Sequence, residues 1–294
     1  MQFKSIIFGI SGQDGQYLKI KLEKLDHFVI GVSRTTGNFV GDVSDFEYVK
    51  KLISETQPDY IFHFAATSNT SHDALFENNA SISNGTINIL EVVRLFSPSS
   101  KVFLSGSAMQ FENNGLPISE NTPFTPSSPY SISRIHSVLN ARYYRNKFNL
   151  KIYIGYLFNH DSPYRTEHHI NQKIIKSLQR IKNGCEQNIY IGNVDVRKEF
   201  NFAQDIVNAI WLLVNQEEVF EVVIGSGITF SIRDWLKICF ELEGLDYSKY
   251  LVCDNTYKSE YDELISDPSL IKSLGWSPLV GINELAKIML NSSV

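Results

Sequence analysis

The segment Gly9-Ile10-Ser11-Gly12-Gln13-Asp14-Gly15 lies between an apolar run and the start of a helical pattern. Glycines at these places permit a tight turn and let backbone N–H groups approach a pyrophosphate at a helix N-terminus. The strand before it and the helix after it make this a dinucleotide-binding loop, with Gly9, Ser11, Gly12, Gln13, Asp14 and Gly15 as cofactor contacts. The next strand ends Gly31-Val32-Ser33-Arg34, with no carboxylate beside the arginine. An acidic residue there would take the ribose 2′-hydroxyl of NAD, whereas an arginine suits the 2′-phosphate of NADP, so Arg34 favours NADP. Asp42-Val43 and Ala65-Ala66 fall where adenine and ribose contacts belong in such a fold. His168 and His169 are adjacent, and neighbours at a helix start diverge by about 100°, which argues against a shared metal ion. Cys185, Cys239 and Cys253 are scattered without ligand spacing and read as free thiols, so no metal is expected.

The elements that must position these residues alternate. Ser5–Ile10, Phe28–Val32, Tyr60–Phe64, Lys101–Leu104 and Lys151–Leu157 read as strands. Between them, Tyr17–Leu25, the stretch through Val49, Leu52 and Ile53, Ile82–Phe96 and Ser131–Phe148 carry helical spacing. Such βαβ alternation predicts an α/β fold: a Rossmann doubly wound parallel sheet. After about residue 158 the alternation breaks down, leaving helices at Ile170–Lys182 and Ala203–Val214 among short strands. A Rossmann domain over 1–158 is therefore expected. Residues 159–294 would form mostly a smaller C-terminal substrate-binding lobe with segments returning to the sheet, the cleft between them being the ligand site.

A formal net charge of −5 without a basic run argues against nucleic acid or an anionic membrane as partner. No apolar run approaches the ~20 residues of a membrane span. The first ten residues lack the longer apolar stretch of a secretory signal, so a cytoplasmic protein is expected.

Further motifs give these parts a context. GISGQDG resembles GITGQDG, TPFTPSSPYSISR resembles TPF-x-P-x-SPYA-x-x-K, and Phe158–Pro163 (FNHDSP) resembles FNHESP. Ile191–Arg197 resembles LGN-x-x-x-R, and Asp267 with Leu274–Pro278 resembles GDP…LGW-x-P. Nearly the whole chain thus resembles the extended short-chain dehydrogenase/reductases, in the branch of GDP-mannose 4,6-dehydratases and GDP-4-keto-6-deoxymannose reductases. In total length, and in the short stretch between Arg34 and Asp42, it is more similar to the reductases.

The resemblance implies a nucleotide-sugar substrate, GDP-linked, with Asn159 and Arg197 on its diphosphate and Lys173 and Glu260 as further substrate contacts. It also implies a homodimer paired through the helices at 82–96 and 131–148. Tyr130 takes the place of the acid/base, and four residues on stands Arg134 where the family has a lysine that grips the nicotinamide ribose. Arginine keeps the charge that favours tyrosinate but is bulkier and never gives up a proton. The segment Phe103–Phe111 aligns with ASTSE-x-YG, placing Gly106 at the catalytic threonine and Ala108 at the glutamate with which the dehydratases move water across C5 and C6. Ser107 or Ser105 could supply the missing hydroxyl, Ser107 being preferred. The resemblance therefore implies an NADP-dependent oxidoreductase at C4, foremost a 4-keto-6-deoxy-sugar reductase. A dehydratase with a replacement carboxylate (Glu112 or Glu120), an epimerase and a non-catalytic nucleotide-sugar-binding relative stand as alternatives.

Overall fold

A computed structural model describes residues 2–36, 39–254 and 259–292. Strand β1 (Lys4–Phe8) is buried on both faces, as its unbroken apolar run demands. It stops at Phe8, two residues short of the expected end. Gly9 takes φ +93° and donates its N–H to the Val32 carbonyl at 2.9 Å, which turns the chain into α1 (Gln13–Lys24). Strands β2 (Phe28–Ser33) and β3 (Phe39–Val40), helix α2 (Phe46–Thr56) and β4 (Tyr60–His63) follow. Asp45 accepts the Tyr48 N–H and so starts α2.

The expected helix at 82–96 is longer and irregular. A short helix α3 (Leu75–Asn78) runs through a π-helical stretch (Asn79–Asn84) into α4 (Gly85–Phe96). Strand β5 (Lys101–Ser107), helix α5 (Pro129–Phe148) and β6 (Ile152–Leu157) complete the first half. Helix α5 begins two residues before the apolar periodicity does. Ser128 caps it in a reciprocal bond with Ser131, and Pro129 occupies its first turn, so Tyr130 sits at the helix start.

The second half adds β7 (His160–Asp161), α6 (Ile170–Lys182), β8 (Ile189–Ile191), β9 (Arg197–Glu199), β10 (Asn201–Phe202), α7 (Ala203–Leu213) and β11 (Glu221–Ile224). Then come β12 (Thr229–Ser231), α8 (Ile232–Leu242), β13 (Leu251–Cys253), β14 (Glu263–Leu264), α9 (Ser269–Ser273) and α10 (Ile282–Asn291). Seven parallel strands form the central sheet in the order β11-β6-β5-β4-β1-β2-β3. The order reverses at β1, and ligands bind such sheets beyond the carboxyl ends of the strands at that switch. One apolar cluster fills the face under α2, α4 and α5, and another the face under α1 and α7. A third lies apart, between α6, α8 and α10.

What ties the second half to the sheet is a buried carboxylate. Glu199, fully inaccessible on β9, accepts from Ser266 N (2.7 Å), Ser226 N (2.6 Å), Gly227 N (3.2 Å) and Asn201 Nδ2 (2.9 Å). It thereby joins β9 to the turn after β11 and to the segment after β14. Removing it leaves several buried donors unpaired at once. Glu199→Ala is expected to destabilise the protein by about 3 kcal/mol, read as a lowered midpoint in urea unfolding, whereas a loss below about 1 kcal/mol would show that water satisfies those donors.

Candidate active site

Two cavities meet at the carboxyl ends of the strands, and a third adjoins them. The first, of about 550 Å³, is lined by Gly9, Ser11, Gly12, Arg34, Asp42, Val43, Ala65 and Ala66, among others. Its floor tolerates only glycine at two points. A Cβ on Gly9 would lie 2.7 Å from Ala65 N, and one on Gly15 would lie 2.4 Å from the Gly9 carbonyl oxygen. Gly12, the N-cap of α1, brings no side chain to the first-turn N–H groups, which leaves them to an anionic ligand. This cradle fits a dinucleotide pyrophosphate.

The premise for NADP does not hold here. Arg34 is not unopposed, because its Nη2 donates to Glu77 Oε1 at 2.9 Å and both residues line the cavity.

The second cavity, of about 280 Å³, collects Tyr130, Arg134, Ser105, Ser107, Asn159 and Glu260. Arg134 is buried. Its Nη1 donates to the Ser105 carbonyl and, at 2.8 Å, to Ser105 Oγ, while its guanidinium carbon stands 5.1 Å from the centre of the Tyr130 ring. Burial pushes the Tyr130 phenol up, but the Arg134 cation and hydrogen bonds from Ser107 and Arg134 outweigh it and bring the phenol below its usual value. The two serines part company. Ser105 Oγ donates to the His63 carbonyl at 3.0 Å and accepts from Arg134, so it is spent on holding the guanidinium. Ser107 Oγ caps the short turn Ala108–Gln110 and bonds Tyr130, and so faces the reacting position. Among the residues lining this cavity, Arg134 Nε, Asn159 Oδ1 and Arg165 Nε are buried without a hydrogen-bond partner. Arg134 Nε and Asn159 Oδ1 suit the ribose of a dinucleotide and a polar substrate group.

Gly106 and Ala108, at the positions where the resemblance would put the dehydratase groups, both line this cavity. A Cβ on Gly106 would come 2.7 Å from the Tyr156 ring, which is itself locked by a 2.6 Å bond to Glu221. Ala108 is buried, packing into the apolar cluster while bordering the cavity. Neither candidate replacement reaches the cavity: Glu112 is exposed, and Glu120 Oε1 accepts the Val223 N–H at 2.7 Å.

The side chains of Gln13 and Asp14 reach across to the second half of the chain. Gln13 is buried, donates to the His160 carbonyl at 3.1 Å and accepts from Ser162 Oγ at 2.9 Å. Asp14 lines the second cavity and bonds His160 Nε2 at 2.9 Å, while His160 Nδ1 lies 2.7 Å from the Phe158 carbonyl. The glycine loop is thus clamped to the NHDSP segment that carries Asn159. Burial opposes both charges, yet each holds the other: His160 is raised above its ordinary value and Asp14 lowered below its own.

The third cavity, of about 470 Å³, shares Glu260 and Tyr261 with the second and holds Lys173, Tyr190, Asn193 and Lys198. Arg197 does not line it. Its guanidinium turns to the Thr229 carbonyl (2.9 Å) and Glu263 (3.3 Å) on the other face of β9. The next residue, Lys198, enters the cavity instead, and burial brings its ammonium down to about 8.

A family model described as GDP-mannose 4,6 dehydratase matches residues 6–289 of the chain. The chain belongs to that family, within the extended short-chain dehydrogenase/reductases. A relative from Arabidopsis thaliana, GDP-mannose 4,6 dehydratase 1, is 30% identical over 322 residues, covering 99% of this chain and 89% of its own. Two solved structures share the fold: RMD from Pseudomonas aeruginosa complexed with NADPH (TM-score 0.85, 19% identity, 99% of this chain and 97% of that one) and a Thermus thermophilus UDP-glucose 4-epimerase complexed with NAD (TM-score 0.86, 19% identity, 99% and 100%).

Sequence reasoning missed Arg165 and the place of His169 at the second cavity. Arg165 Nη2 stands 3.1 Å from His169 Nδ1, and burial together with that cation lowers His169 to about 4. Both follow FNHDSP in an irregular stretch that has no periodicity to orient them. Among the described residues no cluster of three or more metal-ligating side chains occurs.

The Asp14–His160 pair has a defined pH window. The raised His160 contributes stability below its unfolded value of 6.5, lost as pH rises through the folded value; the lowered Asp14 contributes above 3.8, lost as pH falls. The stability gap between wild type and Asp14→Asn is therefore expected to be widest between about pH 4 and 6.5 and to narrow on either side. Thermal melts across pH check this, and a gap that grows above neutrality would contradict it.

Proposed function

We propose that this protein is a nucleotide-sugar oxidoreductase acting at C4, a reductase of a 4-keto-6-deoxy sugar carried on GDP. The observation that carries this reading is the coexistence of Tyr130, Arg134 and Ser107 in one cavity with Gly106 and Ala108 in place of the elimination groups. A nicotinamide dinucleotide seated on the glycine loop would supply the hydride. Tyr130 Oη gives its proton to the C4 oxygen as the carbonyl is reduced to the alcohol, and Arg134 stabilises the phenolate left behind. Ser107 Oγ orients the same oxygen, and solvent returns the proton to Tyr130. Asn159, Arg165 and Lys198 would hold the diphosphate, a lysine and an arginine sharing its charge. The GDP carrier is inferred from the relatives' names.

The residues at 1–158 form the cofactor domain in this reading, and those after 158 mostly the substrate lobe. A homodimer is supported by α5, which exposes Ile132, Leu139 and Tyr143 along one stripe, and by Leu95, exposed on α4. Two exposed free thiols, Cys185 and Cys253, suit the reducing cytoplasm. No helix among the described residues is long and apolar enough to cross a membrane.

The dehydratase reading keeps one foothold, since Asp14 and Glu260 are carboxylates that do line the cavity. Mass spectrometry of two incubations separates the readings: GDP-mannose alone, and its 4-keto-6-deoxy derivative with reduced nicotinamide cofactor. Gain of two hydrogens on the keto sugar is expected, with Tyr130→Phe slowing it by ~10²–10⁴. Loss of water from GDP-mannose would overturn the reductase reading in favour of the dehydratase, and silence in both would favour the non-catalytic relative.

A further inference from the structure

Helix α3 brings a carboxylate to the place where the two common nicotinamide dinucleotides differ. Arg34 directly follows β2, where the 2′-position of the adenosine ribose lies in this type of sheet. Glu77, 43 positions away in sequence, accepts from its guanidinium at 2.9 Å. Among the described residues lining the cavity, Arg34 is the one cation, and Glu77 and Asp42 are the acids. One oxygen of Asp42 already takes the Ser44 N–H and hydroxyl, each at 2.8 Å. Beside Glu77, Phe76 is 85% exposed and lines the same cavity, offering an apolar face on which adenine can stack.

We infer that Glu77 sets the choice of dinucleotide, and that the protein selects NAD(H) over NADP(H). The inference rests on the hydride-transfer reading above and deepens it. A ribose 2′-hydroxyl can donate to Glu77 while accepting from Arg34, which satisfies both partners of the existing pair. A 2′-phosphate would bring roughly −1.5 to −2 charges to a corner whose single cation is already neutralised. It must either sit against Glu77 or displace it and leave that carboxylate facing a dianion. Either outcome disfavours the phosphorylated cofactor.

The test is titration of the full-length protein with NADH and with NADPH, followed by nicotinamide fluorescence, in wild type and in Glu77→Gln. Wild type is expected to bind NADH about tenfold or more tightly than NADPH. Glu77→Gln removes the repelling charge and is expected to bring the ratio of the two dissociation constants to within about threefold of unity. The ratio does not depend on the fraction of protein folded, so a destabilised variant cannot mimic the effect. Tighter binding of NADPH by wild type, or a ratio unmoved by Glu77→Gln, would overturn the assignment. Binding of neither dinucleotide would overturn the hydride-transfer reading and this inference with it.

Discussion

A phenol buried beside a permanent cation is the contact on which the site depends. Without a cation, desolvation would hold Tyr130 protonated and inert. A guanidinium in place of an ammonium must be fixed by its fork, and Ser105 does this with both its carbonyl and its hydroxyl. That arrangement in turn requires β5 to end where it does and α5 to be capped at Ser128, so that Tyr130 stands about one turn ahead of Arg134. Arg134 also bears on His63 behind it, which burial and that charge bring down to about 3, so the imidazole stays neutral under the active site.

Around this contact the fold works as a clamp. The glycine loop is shaped by backbone packing against Ala65 and Ile10, and its Gln13 and Asp14 grip the NHDSP segment across 146 to 149 positions of sequence. The glycine loop and the NHDSP segment are thereby held together. Glu199 does the same for the far side of the lobe, gathering donors from three segments at a single carboxylate. Tyr156, pinned by Glu221 and Arg142, fills the volume that a threonine at 106 would need. A side chain at position 106 is therefore excluded by the packing of β5 against β6.

Most of the sheet was legible because parallel strands buried on both faces read as apolar runs, and helices such as α6 and α7 carry a clear 3.6-residue period. The glycine loop was legible for the same local reason. What escaped depended on contacts between distant segments. Glu77 meets Arg34 across 43 positions of sequence, and nothing in either local sequence announces the pair. The LGN-x-x-x-R pattern points to Arg197, but β9 alternates sides residue by residue, so a shift of one position moves the cation from the cavity to the opposite face. Arg165 and His169 lie in a loop, where sequence fixes composition and the surrounding lobe fixes direction.

The measurement that bears most directly on the central claim is the fate of a labelled hydride. The 4-keto-6-deoxy sugar nucleotide is incubated with reduced nicotinamide cofactor deuterated at its transferable position, and the product is read by proton NMR. Chemistry confined to C4 predicts one deuterium at C4 and none elsewhere on the sugar. Deuterium at C6 would contradict the account, since it would require the C5–C6 chemistry for which Gly106 and Ala108 leave no group.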